Sequence, residues 1–195
     1  MNEIECHPFE SFFEKSYKAI IIGTFPCRDF KVNYPFNYGD WYYSGSSRNM
    51  LWDILSKIYS VNLDTRQEKE NLLKTNKIGI ADIAKSIHRK IDKCGDKDFI
   101  IEDYNDELLD IIKDNPGIKL MFTSKIAQNF TKSGFQTKYG RSYTNLEVAL
   151  LPPSPSASRY IGSLDDYKEY KMQNSTANTK TFRVKKYKEH FILVS

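Results

Sequence analysis

Cysteine and histidine are scarce in this chain. Its three cysteines (Cys6, Cys27, Cys94) and three histidines are scattered over 195 residues, with no CxxC and no HxxxH pair. That spacing excludes the usual zinc-ligand patterns and a disulfide framework, so a reducing, cytoplasmic setting is the expectation. Unclustered cysteines also leave no iron–sulfur site. Long apolar runs are missing as well: nothing approaches the roughly 18 residues of a membrane span, so none is predicted. The opening Met1-Asn2-Glu3-Ile4-Glu5 is acidic and polar, unlike a signal peptide. Without a secretory route, the sequons Asn129-Phe130-Thr131 and Asn174-Ser175-Thr176 carry no weight. GxxxxGK[ST] and GxGxxG, the loops that cradle nucleotide phosphates, are absent too, and no cofactor or metal is expected.

What is present is an ordinary soluble composition, 40% hydrophobic and 28% charged, in a length that suits one domain, residues 1–195, with a real core. The net charge of +4 is unevenly spread. Asp96 to Asp114 is acidic, whereas Lys180, Arg183, Lys185, Lys186 and Lys188 form a basic run. Each run alone reads as a solvated helix face. The basic one becomes a polyanion contact only if it lies beside a ligand crevice.

Short apolar segments ended by Gly, Pro or polar residues predict four strands: Ala19–Thr24, Ile78–Asp82, Ile118–Thr123 and Leu146–Leu151. Between them lie helical patterns over Asn49–Tyr59, Arg66–Lys74, Asp103–Lys113 and Ser124–Lys132. In the first of these, Leu51, Ile54, Leu55 and Ile58 share one face, with Ser46 or Ser47 as N-cap. Another helix starts at Ser163-Leu164-Asp165-Asp166. A last one begins near Asn178 or Thr179, with Val184, Tyr187 and Phe191 inward. Alternating strands and helices imply an α/β chain: a three-layer α/β/α domain around a four-stranded parallel sheet.

Ligands of such sheets bind at the strands' carboxyl ends. Here those ends carry Gly23-Thr24-Phe25-Pro26, Asp82, Thr123-Ser124 and the stiff loop Pro152-Pro153-Ser154-Pro155-Ser156-Ala157-Ser158-Arg159. A glycine lets a backbone approach a ligand closely, and proline stiffens the loop, although Gly and Pro also simply end strands. Arg48 and Asn49 sit in a helix's first turn near Tyr42, Tyr43 and Trp52. An amide that can position water beside rings that can stack on a base makes a plausible nucleobase pocket; the plain alternative is a capping turn. Ser154, Ser156, Ser158 and Arg159 suit phosphate contacts. Asp82 is either a catalytic carboxylate or the cap of a following helix. Cys27 is a candidate nucleophile with His7 or His88 as base, though a lone cysteine is more often inert.

Taken in order, these segments resemble the uracil-DNA glycosylase superfamily, nearest its hypoxanthine-DNA and mismatch-specific branches. The matching pieces are Ile22-Gly23-Thr24-Phe25-Pro26, Tyr42-Tyr43 with Arg48-Asn49-Met50-Leu51-Trp52, Gly79-Ile80-Ala81-Asp82-Ile83 with Arg89, Phe122-Thr123-Ser124, and Leu151-Pro152-Pro153-Ser154-Pro155-Ser156-Ala157. The resemblance implies base flipping and hydrolysis of an N-glycosidic bond in base excision repair, acting on DNA with hypoxanthine or uracil, as a monomer and without a metal. It places the catalytic amide at Asn49. The flipped base falls to Gly23, Thr24, Phe25, Pro26, Tyr42 and Tyr43, and the DNA backbone to Arg48, Ser124, Ser154, Pro155, Ser156, Ser158 and Arg159. Two positions depart from the uracil-excising pattern: Phe25 stands where those enzymes carry an Asp or Asn, and Pro152 where they carry a His. Two other readings stay open: a nucleic-acid-binding protein that kept the fold without the chemistry, and a hydrolase of free nucleosides or nucleotides acting through Asp82 or Cys27.

Overall fold

The computed structural model describes residues 4–28, 37–45, 49–91, 93 and 95–191. At its centre is β2 (Ala19–Gly23), every residue of it buried. It pairs in parallel on one side with β3 (Ile78–Asp82) and on the other with β6 (Lys119–Phe122), which in turn pairs with β7 (Glu147–Ala149). The resulting four-stranded sheet has the order β3-β2-β6-β7.

Side chains alternate across a strand, so the apolar runs are shared between two cores. Ala19, Ile21, Ile78, Ile80 and Met121 face one way. They meet α1 (Leu51–Tyr59), α2 (Arg66–Thr75) and the C-terminal α7 (Thr179–Phe191) through Leu51, Leu55, Leu73, Tyr187 and Phe191. Ile20, Ile22, Ala81, Leu120 and Phe122 face the other way, against Leu108 and Ile112 of α3 (Asp106–Asp114) and Ala127 and Phe135 of α4 (Lys125–Tyr139). The three-layer α/β/α arrangement expected from the sequence is therefore present.

Helix starts follow local capping. Thr65 and Glu68 form a reciprocal capping box on α2, and the Asn105 and Ser124 side chains accept from Leu108 N and Ala127 N on α3 and α4. At α7 the Asn178 side-chain Oδ1 accepts from Lys180 N and Thr181 N, both at 3.0 Å. The expected N-cap of α1 at Ser46 or Ser47 lies outside the described residues. The helix begins at Leu51, whose N–H is taken by the Asn49 side chain at 3.0 Å.

A second sheet is the main departure from the sequence-based expectation. β1 (Ile4–Cys6), β4 (Ala84–Arg89) and β5 (Phe99–Tyr104) pair antiparallel in the order β1-β4-β5. The chain leaves β3 and enters β4 after one residue, so no helix follows Asp82. Part of the acidic run expected as a helix face is β5, and α3 consequently starts three residues later than Asp103. A buried ion pair joins β1 to β4 within this sheet, and two further hydrogen bonds fix it to the rest. Arg89 Nε meets Glu5 Oε1 at 2.9 Å, the Tyr38 hydroxyl donates to Glu5 Oε2 at 2.8 Å, and Arg89 Nη2 reaches Pro26 O at 3.3 Å. The last contact ties the small sheet to the loop that leaves β2.

Candidate functional site

The loops at the carboxyl ends of the parallel strands enclose a cavity of about 590 Å³. Its walls are residues 24–27, 95–96, 123–124 and 152–157, with Tyr43, Gly45, Asn49 and Asp82 between them. A larger opening of about 760 Å³ lies elsewhere, between Lys57 and α7. Apart from the acid Glu189, its polar lining is Thr181, Tyr170 and lysines, so convergent polar chemistry, not size, singles out the first cavity.

Asp82 ends β3 at 4% exposure, and its Oδ2 lies 3.1 Å from Nε2 of His7, which the segment after β1 brings in. The imidazole Nδ1 faces the Phe9 backbone, and the ring stands edge-on to Phe25 at 5.3 Å. Tyr43 sits in the left-handed region at φ 59°, a conformation costing on the order of 1 kcal/mol outside glycine. Its hydroxyl reaches the Thr123 hydroxyl at 2.9 Å, which in turn lies 3.2 Å from Ile22 O. Burial first, then the Asp82 carboxylate, holds the Tyr43 phenol well above the usual tyrosine range. It stays neutral.

Asp96 opens a 3-10 turn (Asp96–Asp98) in the connection between β4 and β5. Thr24 Oγ1 donates to its Oδ1 at 2.5 Å, and Ser124 Oγ lies 3.4 Å from its Oδ2. Burial raises its carboxyl pKa, and the Asp82 charge adds to that against the opposing Thr24 and Ser124 bonds. The cavity thus holds two carboxyl groups, Asp82 and Asp96.

Asn49 lines the same cavity. Its carbonyl oxygen caps Leu51 N, and its Nδ2 has no partner among the described residues. The adjoining Met50 N donates to Pro153 O at 3.0 Å. The Pro/Ser loop is held from behind by Arg183 of α7, which is fully buried: its Nε donates to Pro152 O at 2.8 Å and its Nη2 to Ser154 O at 2.9 Å. The Tyr187 hydroxyl donates to Leu151 O at 2.7 Å. Ser154 and Ser156 join hydroxyls at 2.7 Å on the cavity side of this clamp.

The residues expected at the site are distributed as follows. Thr24, Phe25, Pro26, Tyr43, Asn49, Ser124, Ser154, Pro155 and Ser156 line the cavity. Gly23 lies beneath it, where a Cβ would fall 2.2 Å from Asp82 Oδ1 and 2.3 Å from the Tyr43 hydroxyl. Tyr42 does not line it: at 1% exposure it belongs to the core, with its hydroxyl on Glu10 O, because its neighbour's left-handed turn sends the two rings to different sides. Ser158 and Arg159 begin α5 (Ser158–Ser163) outside the lining, and Arg48 lies outside the described residues. Asp82 caps no helix, since a strand follows it. Cys27 lines the cavity but is disulfide-bonded, so it offers no thiolate, and Cys6 is a free thiol. The disulfide departs from the expectation of reduced, unpaired cysteines.

Sequence alone does not single out three residues of the site. His7 reads only as a candidate base for Cys27. Asp96 reads as part of a solvated acidic face, and no local pattern marks it otherwise. Arg183 reads as part of the basic run, although its spacing of four from Tyr187, and that of Tyr187 from Phe191, put it on the buried face of α7. Two lysines of that run are ion-paired: Lys180 with Asp53 at 2.5 Å and Lys186 with Asp166 at 2.9 Å. Among the described residues no group of His, Cys, Asp and Glu is placed to hold a metal ion, and no helix is long and apolar enough to cross a membrane.

The chain matches no protein-family model, and no curated protein matches it in sequence. Its fold does have a solved counterpart. The solution structure of a proposed uracil DNA glycosylase from Methanosarcina acetivorans superposes with a TM-score of 0.58 over 98% of this chain and 99% of that one, at 19% sequence identity. At that identity the likeness carries the fold: a four-stranded parallel sheet between helix layers, shared along both chains.

Proposed function

We propose that the protein is a monofunctional DNA glycosylase of the hypoxanthine or mismatch-specific type, which hydrolyses the N-glycosidic bond of a flipped deaminated base, hypoxanthine or uracil. The observation that carries this reading is the single cavity in which Asn49, Tyr43, the Thr24–Cys27 loop and the Ser154–Ser156 turn converge. Asn49 directs a water at C1′ through its amide. Tyr43, rather than Tyr42, lies against the base, and the Thr24–Pro26 backbone takes the base's edge. Ser154 and Ser156 hold the phosphates, with Arg183 keeping their loop rigid. Preorganised backbone and side-chain dipoles orient the base and the attacking water, without a metal.

The test is an excision assay on duplexes carrying hypoxanthine, uracil or xanthine, with wild type beside Asn49→Ala and Asn49→Asp. Alkali-labile strand breaks that disappear in Asn49→Ala are expected; a wild type that cuts no lesion would sink the reading. The two carboxyl groups in the cavity, Asp82 and Asp96, and the ion pairs of Lys180 and Lys186 favour a second reading, a hydrolase of free nucleosides. Turnover of free inosine or uridine, with weak and salt-insensitive DNA binding, would select it.

A further inference from the structure

Cleaving an N-glycosidic bond leaves an electron pair on the base, and a site can accommodate it in two ways. Cations and N–H donors can hold the base as an anion, or an acid can protonate it. This cavity is poorly suited to the first. Asp82 and Asp96 both line it, and among the described residues neither Arg nor Lys offsets Asp96. A second acidic residue at that spot is well suited to the second way. Asp96 is reached by two hydroxyls, from the loops after β2 and β6, so its carboxyl is fixed in place with no countercharge.

We infer that Asp96 is the general acid of this site and that its substrate base is a purine, protonated at N7. The inference rests on the glycosylase reading above. As the C1′–N9 bond breaks, its electrons move into the ring and N7 takes the Asp96 proton, so the base leaves neutral. Water adds its oxygen to C1′ and gives up a proton to solvent, from which Asp96 is recharged. Uracil, which has no basic ring nitrogen remote from its glycosidic bond, is the poorer substrate. Burial and the neighbouring Asp82 charge both favour the protonated carboxyl. The groups facing Asp96 are the Thr24 and Ser124 hydroxyls, the Asp82 carboxylate with His7 behind it, and the neutral Tyr43 phenol; Lys97 and Asp98 follow in its own turn. The protonated form is the active one, so turnover is full below the Asp96 pKa and falls as pH rises through it.

The experiment measures single-turnover excision from duplexes carrying hypoxanthine, 7-deazahypoxanthine or uracil, with wild type, Asp96→Asn and Asn49→Ala. Wild type is expected to cut hypoxanthine, to bind the 7-deaza duplex as a competitor without cutting it, and to cut uracil slowly. Asp96→Asn should lower kcat about 10²–10⁴-fold with KM unchanged and abolish the fall at high pH. The 7-deaza arm uses only wild-type protein, so it decides even if the variant misfolds. Excision of 7-deazahypoxanthine at the hypoxanthine rate, or an Asp96→Asn variant at wild-type rate, overturns the role of Asp96 while the Asn49 arm still reports on the glycosylase. A wild type that cuts nothing overturns both.

Discussion

Gly23→Ala is the most economical perturbation of this site, because one methyl group there tests the packing beneath the cavity. A Cβ at residue 23 falls 2.2 Å from Asp82 Oδ1 and 2.3 Å from the Tyr43 hydroxyl, more than 1 Å inside ordinary contact. Neither group can yield freely. Asp82 is held by His7 at 3.1 Å, and Tyr43 by Thr123 at 2.9 Å in a left-handed backbone conformation. Overpacking of a tight core costs roughly 1–3 kcal/mol. Displacing Asp82 or Tyr43 also breaks one buried hydrogen bond, worth about 1 kcal/mol. The expected loss is about 2–4 kcal/mol, or roughly 4–16 °C in Tm for a chain of this length. Urea unfolding followed by tryptophan fluorescence measures it. Gly162→Ala in α5 is the control: nothing lies within 4 Å of its Cβ, so the helix should be unchanged or more stable. A Gly23→Ala loss below about 0.5 kcal/mol, the scatter of ordinary surface changes, would refute the close packing of Asp82 and Tyr43 under the cavity.

Asn49→Ala should lose excision together with about 1 kcal/mol of stability as the bond to Leu51 N goes, whereas Asn49→Asp keeps that cap; comparing their Tm and kcat separates the two roles. Arg183→Ala should cost about 3–5 kcal/mol in urea unfolding and weaken DNA binding, because the Pro152 and Ser154 carbonyls lose their buried donor. Arg183→Lys should not restore either, since an ammonium cannot span both carbonyls as the guanidinium does. The raised pKa of Asp96 makes a stability prediction of known sign: a carboxyl that titrates higher in the folded than in the unfolded chain stabilises fully below its unfolded pKa, and that contribution is lost as pH rises through the folded one. The Tm of Asp96→Asn relative to wild type should therefore climb from acid to neutral pH; a flat difference would mean that Asp96 is not destabilised as an anion. His7→Phe should lower stability by about 1–3 kcal/mol by leaving Asp82 without its buried partner, read as a fall in the urea midpoint at constant slope.

The amino-acid sequence by itself determined the parallel sheet and its two helix layers. Four apolar runs of strand length, each ended by Gly, Pro or a polar residue, can be buried on both faces only between helices. The periods of two and of about 3.6 state which side chains share a face. The same information placed the Thr24–Pro26 loop, Asn49 and the Ser154–Ser156 turn at one edge, because all strand ends of a parallel sheet point the same way. Tertiary structure decided the rest. β4 and β5 mix polar with apolar residues, so their pattern is no stronger than that of a helix or a loop; antiparallel pairing with each other and with β1 makes them strands. His7 meets Asp82 across 75 residues, Asp96 meets Thr24 across 72, and Arg183 meets Pro152 across 31. Local periodicity says which face a residue occupies. It carries no information on which distant loop will stand opposite, and the acid of this cavity and the clamp on its wall both come from such meetings.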